Sequence, residues 1–248
     1  MKGFVDRLFQ NAIAFEAITV FIYAFYCLIF AVAATPAALL VWWWAQQFLS
    51  RGFLLFFVFV FLCCVAFYVF LVVTAMVVGL VERILTLGFK PGVYSVSSSV
   101  FVRWTVYAGL HLWLVYLVLP FLRGNNWIKV YLRIAGAKVG RGAFLNTQHF
   151  YDPYLLEIGD DVVIGGEATL TCHLFEGGRL HLGKIILGES TAVGAHAYLT
   201  PGTTTGKNSK IGMNTVLQRN TTVRNGETYL SLPSMSLRQA VRLMQKRE

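Results

Sequence analysis

The chain has 248 residues, of which 56% are hydrophobic and 13% are charged, and its formal net charge is +9. The charge divides almost evenly between the two halves, and the basic residues of the second half are scattered. This pattern argues against a nucleic-acid-binding protein and favours contact of the first half with anionic lipid headgroups. The four cysteines form no CxxC pattern, so neither a disulfide framework nor a metal site is predicted.

Two long apolar stretches in the first half predict membrane-spanning helices. Residues 52–81 contain no Asp, Glu, Lys or Arg, and residues 13–35 contain only Glu16. Each stretch is long enough to cross about 30 Å of hydrocarbon as a helix. Pro36 is expected to interrupt the first helix, and the three tryptophans at 42–44 suit the aromatic belt of a membrane surface.

A third apolar segment, residues 104–122, carries aromatic and amphipathic side chains along its length. Such side chains suit the level of the lipid headgroups, so the segment is predicted to be interfacial or re-entrant, with His111 as an anchor. The Lys and Arg distribution favours two spans, because a third would move the basic residues after 122 to the outer side. We therefore expect an integral protein of the inner (cytoplasmic) membrane, with its second half on the cytoplasmic side.

The second half repeats every six residues. Most hexads open with an aliphatic residue that a small residue, usually Gly, follows. This period predicts a parallel β-helix, in which three hexads make one triangular coil and the opening residue points into the prism. The glycine is expected to let the chain turn the corner. Seven hexads run without a slip and open at Leu187, Val193, Leu199, Thr205, Ile211, Leu217 and Val223.

The repeat extends upstream and is broken once. Earlier hexads open at Ile158, Ile164 and Leu170, and the next opens at Leu187, a step of 17 residues where a full coil has 18. A loop or bulge is therefore expected at 171–186, and loops on rigid scaffolds often carry sites.

The end of the chain, residues 236–248, predicts a short amphipathic helix that caps the prism or lies on the membrane. The predicted domains are therefore a membrane domain at 1–124, a β-helix at 125–235 and this helix.

Two candidate catalytic residues lie at the break in the repeat. His173 lies in the predicted loop, with Glu176 three residues later. A neutral imidazole can take a proton from a hydroxyl or amine near pH 7, and a carboxylate or carbonyl on its other nitrogen would fix the tautomer. His149 and Asp152 are further candidates, although Asp152 next to Pro153 can simply form a turn. Each histidine can also be a loop residue without a role.

Four segments follow one another in a recognisable order: KPGVYSVSSSVFVRW (90–104), YLRIAGAKVGRG (131–142), YDPYLLEIGDDVVIG (151–165) and CHLFEGGRL (172–180). With the hexads, they resemble the left-handed parallel β-helix of the hexapeptide-repeat acyltransferases. More narrowly, they resemble the membrane-bound terminal condensing units of ε-poly-lysine-synthetase-type nonribosomal peptide synthetases. The resemblance covers residues 52–226.

The resemblance implies transfer of an acyl or aminoacyl group from a thioester to an amine or hydroxyl. It implies that His173 is the general base and that Glu176 orients it. The thioester would be carried by coenzyme A or by phosphopantetheine on a carrier protein, and no metal is implied. The remaining implied residues line the acceptor side, namely His149, Asp152 and Tyr154 (an acid in the family), or bind the donor, namely Arg219 and His196.

Three functions stay open at this point. The first is a membrane-anchored acyltransferase, and the second is an amide-forming, peptide-condensing partner of a nonribosomal synthetase acting in trans. The third is a non-catalytic β-helix scaffold. Because β-helices of this family pack as trimers, the resemblance also implies a homotrimer. The expected partners are the lipid bilayer and the thioester donor, with a carrier protein as an alternative donor and no nucleic acid.

Overall fold

The computed structural model describes residues 12–49 and 52–230. The described residues begin with four helices: α1 (Ala12–Phe48), α2 (Phe53–Leu85), α3 (Ser99–Leu117) and α4 (Asn126–Ile134). A short strand, β1 (Gly92–Ser95), connects α2 to α3. The predicted helix at 236–248 lies outside the described residues.

Helices α1, α2 and α3 are each long and apolar enough to cross a membrane. Helix α1 continues through Pro36, which was expected to interrupt it. A proline removes one backbone hydrogen bond and can kink a helix, but a long apolar helix can continue on either side of it. The segment predicted to be interfacial or re-entrant forms α3 and a short 3₁₀ turn, Leu119–Phe121.

Three parallel sheets form the faces of a β-helix after α4. The first face contains β2 (Lys138–Val139), β5 (Leu156–Ile158), β10 (Ile185–Leu187), β13 (Thr204–Thr205) and β16 (Thr222–Val223). The second contains β3 (Phe144–Leu145), β6 (Val163–Ile164), β11 (Ala192–Val193), β14 (Lys210–Ile211) and β17 (Thr228–Tyr229). The third contains β4 (Phe150–Tyr151), β7 (Thr169–Thr171), β12 (Tyr198–Leu199) and β15 (Val216–Leu217).

The strand register measures the length of each coil. Thr205 lies beside Leu187, 18 positions earlier, whereas Leu187 lies beside Ile158, 29 positions earlier. The broken coil therefore holds eleven residues more than a regular one. The prediction that the 17-residue step falls one residue short of a full coil was wrong. Leu170 and Leu187 occupy successive faces of the prism, and a regular step between successive faces has six residues.

The extra residues form an ordered β-hairpin rather than an irregular loop. Its strands are β8 (His173–Glu176) and β9 (Arg179–Leu182), and the two glycines between them have φ of +57° and +69°. Strand β9 also pairs antiparallel with β1. The hairpin is therefore hydrogen-bonded to the segment that joins two of the long apolar helices.

The corners of the coils lie two residues later than expected. The positions with positive φ recur at every sixth residue from Ser190 to Gly226, three residues after each inward-pointing side chain. The glycine directly after the inward residue has another role. A Cβ on Gly188 would lie 2.5 Å from the backbone carbon of Gly206 in the next coil, so this position is glycine because adjacent coils approach closely.

We expect Gly188→Ala to lower the free energy of unfolding by about 1–3 kcal/mol, because the added methyl group overpacks two backbone segments. Gly166→Ala is the matched control, since its nearest contact would be an ordinary 3.7 Å and its φ is not positive. Thermal unfolding of both variants in detergent would measure the difference. Equal melting temperatures would contradict the steric explanation.

Candidate active site

A cavity of about 440 Å³ lies between helix α3 and the β-helix. Residues 104, 107, 108, 111 and 112 of α3 form one wall, and their spacing places them on one face of the helix. The opposite wall comes mainly from the third face of the prism and from the hairpin: Tyr151, Thr169, Thr171, His173 and Tyr198. The cavity therefore has walls from both halves of the chain.

A histidine–carboxylate pair lies at this cavity. The Nδ1 atom of His173 is 2.6 Å from Oδ2 of Asp152. Asp152 is 1% exposed, whereas the His173 side chain keeps 28% exposure. Nε2 of His173 makes no hydrogen bond to another described residue. This arrangement fixes one ring nitrogen against a buried carboxylate and leaves the other for a substrate.

Asp152 accepts two further hydrogen bonds through its other oxygen. Trp104 Nε1 donates to Oδ1 over 2.9 Å, and the Tyr154 hydroxyl donates to the same atom over 3.1 Å. The backbone N–H of Asp152 donates to the hydroxyl of Tyr107 over 3.0 Å. All three side-chain partners of the carboxylate are donors, so an ionised Asp152 fits this site better than a protonated one.

These contacts move the pKa values of the pair in opposite directions. Burial acts to lower the pKa of His173, but the charge of Asp152 and the hydrogen bond to it outweigh burial and raise this pKa above 6.5. Burial acts to raise the pKa of Asp152, but the charge and hydrogen bond of His173, with the bond from Trp104, lower it below 3.8. Hence the carboxylate is charged at neutral pH and supports a proton on the imidazole.

His149 forms a second pair at the cavity. Its Nε2 atom is 3.0 Å from Oε2 of Glu167, and Arg123 also bonds this carboxylate. The His149 ring stacks on the ring of Tyr151, with centroids 6.3 Å apart and an interplanar angle of 21°. The side chain of Glu167 is 36% exposed, so this pair is far less enclosed than the pair of Asp152 and His173.

His111 belongs to a third, buried group. Its Nδ1 atom is 2.9 Å from Oε1 of Glu82, and the hydroxyl of Tyr131 donates to Oε2 over 2.8 Å. His111 and Glu82 are each 1% exposed. The expectation that His111 anchors the chain at a membrane surface was therefore wrong, because the ring packs inside the protein and borders the cavity.

No model of a known protein family matches this chain. Over 172 residues, or 68% of the chain, it is 30% identical to the δ-poly-L-ornithine synthetase of Acinetobacter baumannii. Over 106 residues it is 28% identical to the galactoside O-acetyltransferase of Escherichia coli, covering 38% of the chain. The chain spans 13% of the length of the first relative and 52% of the second.

The chain is also similar to solved structures of other proteins. A maltose O-acetyltransferase from Clostridium difficile superposes with a TM-score of 0.42 at 17% identity, over 61% of this chain and 93% of the other. The six-residue period, the parallel faces and the sequence relatives agree. The chain is similar to the hexapeptide-repeat acyltransferases.

The structure does not place Glu176 beside His173. The two residues lie three apart on strand β8, and side chains at odd spacing point to opposite faces of a strand. Glu176 instead forms an exposed 3.2 Å ion pair with Arg219. The position proposed for Glu176 on the ring nitrogen of His173 is occupied by Asp152, which β4 and β7 bring there by aligning Tyr151 with Thr171.

The other predicted residues divide between the cavity and the surface. His149 and Asp152 border the cavity, as does His173. Tyr154 is not among its lining residues and contacts Asp152 from behind. Arg219 and His196, expected to bind the donor, do not border it either: Arg219 pairs with the hairpin, and His196 is exposed at a coil corner with φ of 56°.

Sequence reasoning missed the contribution of the apolar half to this site. Trp104, Tyr107 and His111 all border the cavity, and Glu82 supports His111 from α2. One signal was present: Glu82 directly follows the charge-free run 52–81. An ionisable residue at the end of an apolar helix indicates a functional partner, and His111 is the histidine of the apolar segment 104–122 that could provide it.

Proposed function

We propose that the chain is a membrane-anchored, left-handed β-helix acyltransferase in which His173 is the general base. The observation that carries this proposal is the 2.6 Å contact between Asp152 and His173 at a cavity. Asp152 holds the proton on Nδ1, so the lone pair of Nε2 is available to the acceptor. The edge-on ring of Trp104, with its centroid 4.9 Å from that of His173, supports the same ring orientation.

The proposed reaction is a direct attack on a thioester. The acceptor nitrogen or oxygen forms a bond to the carbonyl carbon, and His173 Nε2 takes the proton that this atom loses. The electron pair of the C=O bond moves onto oxygen and returns when the C–S bond breaks. The imidazolium then gives its proton to the departing sulfur, which leaves as a free thiol. Asp152 stabilises the imidazolium while it exists.

Acetyl-coenzyme A is the first donor that we propose, because one sequence relative is named as an O-acetyltransferase. A carrier-protein thioester is the second candidate, favoured by the similarity to δ-poly-L-ornithine synthetase over 68% of this chain. The second donor would make the protein an amide-forming partner of a synthetase in trans.

Release of free thiol by the purified full chain in nanodiscs separates the two donors. We expect release from acetyl-coenzyme A that depends on an added acceptor, with methyl β-galactoside and L-ornithine as the hydroxyl and amine probes. Release only from an ornithine-loaded carrier protein would instead support the peptide-condensing role. If free thiol is released from neither donor, the non-catalytic scaffold is the function that remains.

Membrane anchoring is supported by the composition and length of α1, α2 and α3. Their exposed surface is strongly apolar, with Phe21, Phe53 and Leu54 each at least 74% exposed. Such a surface is stable in lipid and costly in water. We therefore propose an integral membrane protein, and the Lys and Arg distribution supports an inner-membrane location with the prism in the cytoplasm. Resistance to carbonate extraction from cell membranes is the expected result, and release into the soluble fraction would contradict it.

A homotrimer is the proposed assembly, carried by the resemblance alone. Mass measurement in detergent is expected to give three copies, and a stable monomer would contradict it.

A further inference from the structure

His111 differs from the other cavity histidines because it comes from an apolar helix. Its Nδ1 atom contacts Glu82, and Nε2 is buried without a hydrogen-bond partner among the described residues. A buried polar atom without a partner destabilises a fold, so natural proteins keep such atoms rarely. The His111 ring also borders the cavity, which makes a bound substrate a natural source of the missing partner.

The contacts around Glu82 indicate which nitrogen of His111 carries the proton. The Tyr131 hydroxyl lies 2.8 Å from Glu82 Oε2 but 3.2 Å from His111 Nδ1, so it donates to the carboxylate. Nδ1 of His111 then has to donate its own proton to Glu82 Oε1 over 2.9 Å. In the neutral ring Nε2 is consequently unprotonated and accepts a hydrogen bond.

The positions of the rings connect His111 to the proposed base. The centroid of Tyr151 is 5.6 Å from that of His111 and 6.2 Å from that of His173. Both histidines therefore contact the same tyrosine and border the same cavity. The two rings carry their proton on Nδ1 against a carboxylate, so each offers an Nε2 lone pair.

The walls also limit the charge of the ligand. Neither Lys nor Arg is among the described residues that line the cavity, and the carboxylates of Glu82 and Asp152 contact two of its histidines. Aromatic rings of Trp104 and tyrosines form much of the remaining surface. An anionic group at this place would meet no cation, whereas N–H and O–H donors would meet acceptors.

We propose that His111 Nε2 binds the acceptor substrate by accepting a hydrogen bond from a second N–H or O–H group, while His173 acts on the reacting one. This inference rests on the proposed function and adds to it. It assigns to the acceptor class two separate donor groups, one for each histidine. It also makes Glu82 and Tyr131 positioning residues, which act on the substrate through His111.

The chain contains five histidines, so imidazole resonances of the ¹⁵N-histidine-labelled protein in nanodiscs can be assigned individually. Two probes of equal size test the proposal: 3-amino-1-propanol has two donor groups, and n-butylamine has one. We expect both probes to shift the His173 resonance and only the amino alcohol to shift Nε2 of His111. We further expect the amino alcohol to bind about two- to twelvefold more tightly, the range of one net hydrogen bond.

Two variants make the comparison specific. His111→Asn keeps a side-chain N–H towards Glu82 but lacks Nε2, so it should remove the preference for the amino alcohol and leave butylamine binding unchanged. Thr74→Val is the matched control, because Thr74 Oγ1 is the other buried side-chain atom without a partner among the described residues and does not border the cavity. This variant should retain the preference.

The outcomes separate the inference from the function on which it rests. Shifts at His173 alone would overturn the role of His111 and leave the general base intact, as would equal weakening of both probes in His111→Asn. If only water contacts Nε2 of His111, neither probe would shift the His111 resonance, and the proposed role of His111 would be overturned. No response at either histidine would overturn both proposals. The titration of the unmodified protein decides these cases even if a variant fails to fold.

Discussion

Replacement of His173 by Gln is expected to reduce acyl transfer by about 10²- to 10⁴-fold, the usual contribution of a general base. Glutamine is close in size and polarity, but its amide cannot take a proton near pH 7. The loss should appear in kcat, because the missing step is proton transfer rather than binding. Acceptor-dependent thiol release from the donor that the unmodified protein uses is the measurement.

His181→Gln provides the matched control for this experiment. His181 lies on the second strand of the same hairpin, bonds to Arg219 at the surface and does not border the cavity. It should therefore keep the activity of the unmodified protein. Unchanged transfer by His173→Gln would show that another group takes the proton, and His149 would be the next residue to replace.

Asp152→Asn is expected to lower kcat by about 10²- to 10⁴-fold, because it changes the tautomer of His173. The carboxylate accepts from Trp104 and Tyr154 at Oδ1 and from His173 at Oδ2. An asparagine has only one acceptor oxygen, and the position with two donors should take it. Its NH₂ group then faces His173 Nδ1, so the ring carries its proton on Nε2 and presents no lone pair to the acceptor.

The pH profile distinguishes this effect from simple loss of structure. His173 must be unprotonated to act as a base, and Asp152 raises its pKa above 6.5. The acid limb of kcat/KM in the unmodified protein should therefore lie above pH 6.5. The variant lacks the negative charge, so the residual activity should show this limb at a lower pH. An unshifted limb would contradict the assignment.

Glu176→Gln serves as the comparison for Asp152→Asn. Glu176 lies on the outer part of the hairpin, its side chain is 62% exposed and its pair with Arg219 is a surface ion pair. Such pairs contribute little, roughly 0–1 kcal/mol. The asparagine variant should therefore have the larger effect on transfer and on the pH profile. The reverse order would restore Glu176 as the residue that orients the base.

The β-helix could be predicted from the sequence because its period is local. Each inward side chain stacks on one a fixed number of residues later, so the spacing from Leu187 to Val223 was enough to predict the coils. The hairpin illustrates the limit. Residues 92–95 pair with residues 179–182, which lie 84 to 90 positions later, and such pairing depends on where the prism and the apolar helices meet. The break in the repeat indicated the place but not this structure.

The site was partly predictable for the same reason. His173 was found because it interrupts a period, and Asp152 because it lies in a segment that the family resemblance covers. Their pairing was not found, because proximity along the chain favoured Glu176. Alternation along β8 turns Glu176 to the other face, and the alignment of β4 with β7 supplies the nearer carboxylate. His111 was judged by its apolar neighbours, which do not reveal that Glu82 packs against it.

The shared cavity has a practical consequence for work on this protein. The boundary between the predicted domains, at residue 124, separates the two walls of the cavity. A soluble fragment that begins there could still coil into a prism, since its strands pair with one another. It would lack Trp104, Tyr107 and His111, and the hairpin would lose strand β1 as its neighbour. Crystals or assays of such a fragment would therefore describe the β-helix and would not detect acceptor recognition.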